Sequence, residues 1–157
     1  MFCLASSFTF GQYTIAYVDA DEVIKAMPEY RVVKNELETF QKQLLKELDE
    51  EKKSIAKFYT EVIEKVKQGA LTPKQQQDAE AELQERQVKL EEKTNNADRK
   101  LVAKERALSK PMYDKFESAI KKVAKNNNYA YIMDKKFVMY AGGADATEKL
   151  KKAVGAR

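Results

Sequence analysis

The most constraining feature of this sequence is a pair of long segments that contain no glycine or proline. The first segment, residues 29–68, could form one helix of about 60 Å at 1.5 Å per residue. Just beyond it, Gly69 suits a left-handed helix C-cap, and Thr72, Pro73 and Gln75 suit the N-cap, the first turn and the capping box of a second helix. Because so short a connection reverses the chain, the sequence predicts an antiparallel helical hairpin with its tip at Gly69, Thr72 and Pro73.

Apolar residues recur every eleven positions along both segments, which is typical of helices that pack along a nearly straight seam. In the first segment the series are Leu37, Leu48 and Tyr59; Phe40 and Val62, with Glu51 interrupting; and Leu44, Ile55 and Val66. In the second segment they are Leu90, Leu101 and Met112, and Ala97, Leu108 and Ala119. The spacing predicts that Leu44, Leu48, Ile55, Leu90 and Leu101 pack inside the hairpin.

Shorter elements flank the hairpin on both sides. At the N-terminal side the sequence predicts a strand over residues 13–19 and a short helix over residues 20–26. Pro111 removes a backbone donor near the end of the returning helix, so we expect a kink or break there that acts as a hinge. After three asparagines, the sequence predicts strands at Tyr129 to Asp134 and at Phe137 to Tyr140, a tight turn at Lys135-Lys136 between them, and a last helix from about Asp145 to Val154.

Three strands and a 60 Å helical rod bury too little surface for one chain to be stable alone. The fold class that we predict is α+β: a helical hairpin, residues 31–110, attached to a small β body built from residues 13–30 and 111–157. Three chains could close their strands into a barrel without exposed edges. The aromatic and aliphatic residues that we assign to this trimer body are Ile15, Tyr17, Val18, Tyr129, Tyr131, Ile132, Phe137 and Met139.

Composition excludes several classes of function. The chain has no histidine, one cysteine, and no glycine-rich loop followed by lysine and serine or threonine, so we predict no enzyme, no metal site and no cofactor. Its net charge is only +4, and the basic excess lies in residues 111–157, which predicts no specific nucleic-acid binding. A basic patch there could contact an anionic membrane surface; it consists of Lys121, Lys122, Lys125, Lys135 and Lys136.

Residues 1–12 are uncharged and largely apolar, and they are typical of the end of a secretory signal peptide. Cleavage near Gly11 or Gln12 would remove Cys3, the only cysteine, which suits an oxidising compartment. No stretch reaches the roughly 20 apolar residues that span a bilayer.

The order of these features resembles the Skp/OmpH family of periplasmic chaperones. The resemblance rests on IAYVD at residues 15–19, MPEY at 27–30, NNYAYIMD at 127–134, FVMYA at 137–141 and DAT at 145–147. It implies a homotrimeric β-barrel body with three helical hairpins around a cavity, in the periplasm, where unfolded outer-membrane β-barrel proteins are held without ATP. Ala146 departs from the large aliphatic residue common in the last motif. Lipopolysaccharide is a further partner that the resemblance suggests, but no residues for it can be assigned.

If the chain holds unfolded clients, the best candidates for contact are apolar residues off the seam: Leu45, Phe58 and Ile63. Two other classes of function stay open at this point. One is a structural coiled-coil scaffold of the cell envelope, and the other is a cytosolic chaperone similar to prefoldin. Suppression of aggregation separates a chaperone from a scaffold, and secretion argues against a prefoldin-like protein.

Overall fold

The computed structural model describes residues 14–156, which fold into an α+β structure dominated by two long helices. The predicted segment 1–12 lies outside the described residues. The elements are β1 (Thr14–Val18), α1 (Ala20–Ala26), α2 (Pro28–Lys67), α3 (Pro73–Asn126), β2 (Tyr129–Asp134), a 3₁₀ turn (Lys135–Phe137), β3 (Ala144–Asp145) and α4 (Thr147–Val154). Tertiary contacts divide them into two units, described separately below. We call residues 33–108 the arm, and residues 14–32 with 109–156 the body.

The arm is an antiparallel helical hairpin, as predicted. Glu51 on α2 pairs with Lys93 on α3, and the earlier Glu36 pairs with the later Lys104 at 3.7 Å. Residue numbers therefore rise along one helix as they fall along the other. The eleven-residue seam is also confirmed in its central part: Leu44 and Ile55 are buried, and Leu48, Leu90 and Leu101 are half-buried.

The seam prediction is wrong toward the arm tip. Tyr59 is 52% exposed and Val66 is 40% exposed, although both continue series that start at buried or half-buried positions. An eleven-residue repeat matches a helix of about 3.67 residues per turn. In a helix of about 3.6 residues per turn, each member of a series is rotated slightly around the helix axis relative to the one before, so a long series moves off the seam. Near the middle of the arm, Glu51 occupies a seam position and forms its ion pair with Lys93 there.

Both helix ends at the arm tip are capped as the sequence predicts. Gly69 has a φ of 66°, and the N–H groups of Gly69 and Ala70 donate to the carbonyls of Val66 and Lys65, which is the Schellman arrangement. At the start of α3, Gln75 N–H donates to Thr72 Oγ1 at 3.3 Å, and Gln75 Oε1 accepts from Thr72 N–H at 2.8 Å. These reciprocal bonds form a capping box.

The break expected at Pro111 is wrong, because α3 continues without interruption from Pro73 to Asn126. Proline removes one backbone hydrogen bond from this helix, and the residues on both sides of it make contacts of their own. Met112 is buried in the core of the body, and Lys110 pairs with Asp114 across the proline at 2.7 Å. The role of Pro111 as a hinge stays a prediction.

The body contains a three-stranded sheet in the order β2-β1-β3, and β1 pairs in parallel with both neighbours. The side chains of β1 alternate between two faces: Ala16 and Val18 are buried, while Ile15 is exposed. Helices α1 and α4 and the end of α3 cover the buried face. The core consists of Ala16, Val18, Val23, Met27, Met112, Ala119, Val123, Ala146, Leu150 and Val154.

The predicted hairpin between residues 129–134 and 137–140 is wrong. Strand β2 forms as expected, but the Asp134 side chain accepts from Lys136 N–H at 3.1 Å and starts a 3₁₀ turn in place of a tight hairpin turn. Phe137, Met139 and their neighbours do not continue into a strand. The third strand is the two-residue β3, which lies on the other side of β1. Gly143 permits this approach, since a Cβ there would lie 2.7 Å from the Ile15 carbonyl oxygen.

The final helix is joined to β1 by hydrogen bonds around the DAT segment. Ala146 N–H donates to the Tyr17 carbonyl at 2.8 Å, and Thr147 Oγ1 accepts from Asp19 N–H at 3.0 Å. Asp145 Oδ1 accepts from Thr147 N–H at 2.9 Å, and the bonds from Thr147 hold the pKa of the Asp145 carboxyl below its ordinary value. Ala146 is fully buried, so the small residue at this family position fits the core.

We expect Thr147→Val to lower the free energy of unfolding by about 1–2 kcal/mol. The reason is that the buried Thr147 side chain would no longer accept the hydrogen bond from Asp19 N–H. Urea unfolding followed by circular dichroism measures this loss. The matched control is Thr60→Val, where an exposed hydroxyl donates only to the Ala56 carbonyl within its own helix. We expect the control to change stability by less than about 0.5 kcal/mol. Equal midpoints for the two variants would contradict the role assigned to Thr147.

Candidate functional site

One face of the body sheet is apolar and exposed. In the parallel register of β1 and β2, Ile15 lies beside Tyr131 and Tyr17 lies beside Met133. Neighbouring partners point to the same side of a sheet, so these four side chains form one surface, which we call the apolar sheet face. Ile15, Tyr131 and Met133 are 45–66% exposed, and Tyr17 is half-buried. The exposed apolar side chains make this face a candidate interaction surface.

A second apolar segment follows the 3₁₀ turn. Phe137 is 76% exposed, and Met139 and Tyr140 are almost completely exposed. Lys136 Nζ lies 5.6 Å from the centroid of the Phe137 ring. Within residues 14–156, nothing covers this segment in the way that helices cover the opposite side of the sheet.

The residues that we predicted for the trimer body divide into two groups. Those that point away from the core are Ile15, Tyr131, Phe137 and Met139, with Tyr17 half-buried. Those that belong to the core of the single chain are Val18, which is buried, and Tyr129 and Ile132, which pack against it half-buried. The sequence prediction omitted Met133. The alternation of β2 could have identified Met133, because it lies two positions after Tyr131.

The three candidate client residues of the arm have different surroundings. Leu45 is 57% exposed and open to contact. Phe58 is half-buried, and the Arg86 guanidinium lies 4.5 Å from its ring centroid, so this ring packs against the opposite helix. Ile63 is half-buried.

Clefts lie between the helices of the arm, and two of them differ in polarity. One, of about 550 Å³, is polar and contains the Glu51–Lys93 pair beside Leu44 and Ala97. The other, of about 430 Å³, we call the arm groove; it is lined by Lys52, Ile55, Ala56, Tyr59, Leu83, Gln87 and Leu90. The side chains of the arm groove are mostly apolar. The sequence prediction had placed Ile55, Tyr59 and Leu90 in the seam and had not assigned the other four residues.

About half of the charged side chains of the described residues form ion pairs, and most of these pairs lie on exposed helical surface. Basic and acidic partners four residues apart account for the majority of the pairs, such as Lys53 with Asp49 at 2.6 Å. In the predicted basic patch, Lys121 pairs with Glu117 and Lys136 with Asp134, and the Asp134 carboxylate raises the pKa of Lys136. The patch is therefore partly neutralised.

Within residues 14–156, no cluster of three or more carboxylate, histidine or cysteine side chains could hold a metal ion. Among the helices of the same residues, none is both long and apolar enough to cross a bilayer.

Comparison with known proteins identifies relatives of this chain. No curated protein matches it significantly in sequence. Its fold is similar to the crystal structure of an OmpH-like protein from Caulobacter crescentus CB15, described as a candidate outer membrane chaperone. That similarity has a TM-score of 0.77 and 17% sequence identity, and it covers 90% of this chain and 83% of the other. The family model described as outer membrane protein (OmpH-like) matches residues 14–154. Since this match includes nearly every described residue, the chain belongs to the OmpH-like family.

Proposed function

We propose that this protein is an ATP-independent holdase chaperone of the periplasm that binds unfolded outer-membrane β-barrel proteins and prevents their aggregation. Membership of the OmpH-like family supports this proposal, as does the similar fold of a protein described as a candidate outer membrane chaperone. The proposed route to the periplasm is a signal peptide in residues 1–12. The protein would act without a cofactor or a catalytic step.

The observation that carries the proposal is the surface of the arm. Charged side chains, about half of them in ion pairs, are spread along it, and isolated apolar side chains such as Leu45, Tyr59 and Val102 are exposed among them. Each apolar group offers a weak contact, and many weak contacts along one client chain sum by multivalency. The charges keep the surface hydrated, so that release of a client needs no ATP-driven conformational change. Leu45, Phe58 and Ile63 remain our proposed client residues outside the seam.

The proposed assembly is a homotrimer that joins through the body. The apolar sheet face and the segment from Phe137 to Tyr140 have no cover among the described residues, and one edge of β2 has no strand partner among the same residues. Two further copies would cover both features, because closure into a barrel removes sheet edges. The trimer would place three arms around one client.

A weaker contact with lipopolysaccharide or an anionic membrane surface is part of the same proposal. Three lysines of the predicted basic patch form no ion pair with another described residue: Lys122, Lys125 and Lys135. Contacts of this kind act over about 10 Å at 0.1 M salt, so they would assist recruitment only close to the membrane.

The test is light scattering of a urea-denatured outer-membrane β-barrel protein diluted into buffer with and without this protein. We expect scattering to be strongly suppressed near one trimer per client, and equally with or without ATP. Unchanged scattering at excess protein would contradict the proposal and favour a structural scaffold of the envelope.

A further inference from the structure

We infer that the arm groove is a docking site for one large apolar side chain of an extended polypeptide that carries a carboxylate close by. The inference rests on the proposed function and deepens it, because it names a position on the arm and the client chemistry that fits it. The groove differs from the three candidates Leu45, Phe58 and Ile63, none of which lines it.

The apolar character of the groove comes from both helices of the arm. Ile55 is buried, and Leu83 and Leu90 are half-buried, while Tyr59 is 52% exposed. Next to them Ala56 contributes only a methyl group, which leaves a space of about 430 Å³. Pockets of about 300–1,000 Å³ lined by apolar side chains are typical of sites that bury a ligand group.

The charge at the groove indicates the sign of the charge on the polypeptide that binds there. Lys52 lines the groove and forms no ion pair with another residue in the range 14–156. The other lysines nearby on α2 each have a carboxylate partner: Lys46 with Glu50, Lys53 with Asp49 and Lys57 with Glu61. An apolar groove beside a single uncompensated ammonium group is complementary to an apolar side chain followed or preceded by Asp or Glu.

The occupant fits an unfolded chain better than a second copy of this protein. A stable interface between folded proteins buries about 800 Å² on each partner. Seven residues line the groove, whereas such an interface involves roughly 20–30 residues on each side, and Tyr59 is the only large apolar side chain of the lining that is more than half exposed. A site of this size fits a single side chain of an extended polypeptide.

Photo-crosslinking locates the contact. A photoreactive phenylalanine analogue replaces Tyr59 in one variant and Val88 in the other, and each is mixed with a urea-diluted outer-membrane β-barrel protein. Val88 is a matched control because it is 50% exposed, lies on the same arm and does not line the groove. We expect position 59 to crosslink the client several times more efficiently than position 88. Equal yields in a protein that still suppresses aggregation would overturn the groove while leaving the proposed function intact.

Peptide binding tests the charge. The probes are two fluorescent decapeptides, each with one phenylalanine. The positions on both sides of the phenylalanine are aspartates in one peptide and lysines in the other. We expect tighter binding of the aspartate peptide, and roughly threefold weaker binding to Lys52→Glu, as for the loss of one exposed ion pair. The control Lys42→Glu changes the net charge equally, ten residues earlier on the same helix.

Three results are decisive. No preference between the peptides, or equal effects of the two charge reversals, would overturn the docking site. Peptide binding with the expected preference by a protein that fails to suppress aggregation would retain the site and reject the holdase function. Failure in both assays would reject both.

Discussion

We expect Leu150→Ala to lower the free energy of unfolding by about 3 kcal/mol, because the substitution opens a cavity in the small core of the body. Leu150 is completely buried on α4, beside Val23 and Met27, which are also fully buried. A body with so few core residues cannot repack around the loss of three carbon atoms. The measurement is the urea midpoint at one fixed protein concentration, since the stability of an oligomer depends on concentration.

The control for this variant is Leu45→Ala, which removes the same atoms from a side chain that is 57% exposed on the arm. We expect a change below about 0.5 kcal/mol. A loss at Leu150 as small as that at Leu45 would show that the stability of the protein does not depend on the body core.

The second large effect is expected from Tyr131→Lys, which places a charge at the centre of the apolar sheet face. If three copies bury this face, the charge has to be desolvated in the assembly, and we expect the trimer to dissociate at concentrations where the unsubstituted protein stays associated. Suppression of client aggregation falls with it, because single arms lose multivalency. Molar mass and scattering are measured on the same samples.

The matched control is Val102→Lys, on the arm. Val102 is 65% exposed and Tyr131 is 66% exposed, so the two substitutions add the same charge at equally accessible positions. The control should remain trimeric and active. Dissociation of both variants would point to a general effect of charge, and association of both would reject the apolar sheet face as the interface.

The parts of this fold that sequence predicts well are those fixed by neighbouring residues. The backbone of Gly69 and the side chain of Thr72 form the helix caps directly, so a few residues are enough to predict the turn of the hairpin. The central seam follows from the eleven-residue spacing of Leu44 and Ile55. The same spacing misplaces Tyr59, because helix rotation accumulates along the arm.

The parts that sequence predicts poorly depend on distant partners. Residues 137–140 have the composition of a strand, yet β1 pairs with Ala144–Asp145 instead. That choice depends on Gly143 passing close to Ile15 and on the Asp134 turn, and neither is a periodic signal. The arm groove has the same character. Its lining combines residues of two helices, so no single stretch of sequence predicts it.

The most direct test of this account is the molar mass of the purified secreted protein, measured by light scattering during size exclusion across a range of dilutions. We predict one species with three times the mass of the chain, which dissociates only together with loss of folded structure. A cooperatively folded species with the mass of a single chain would contradict the account, because its body would then be complete with the apolar sheet face open to water.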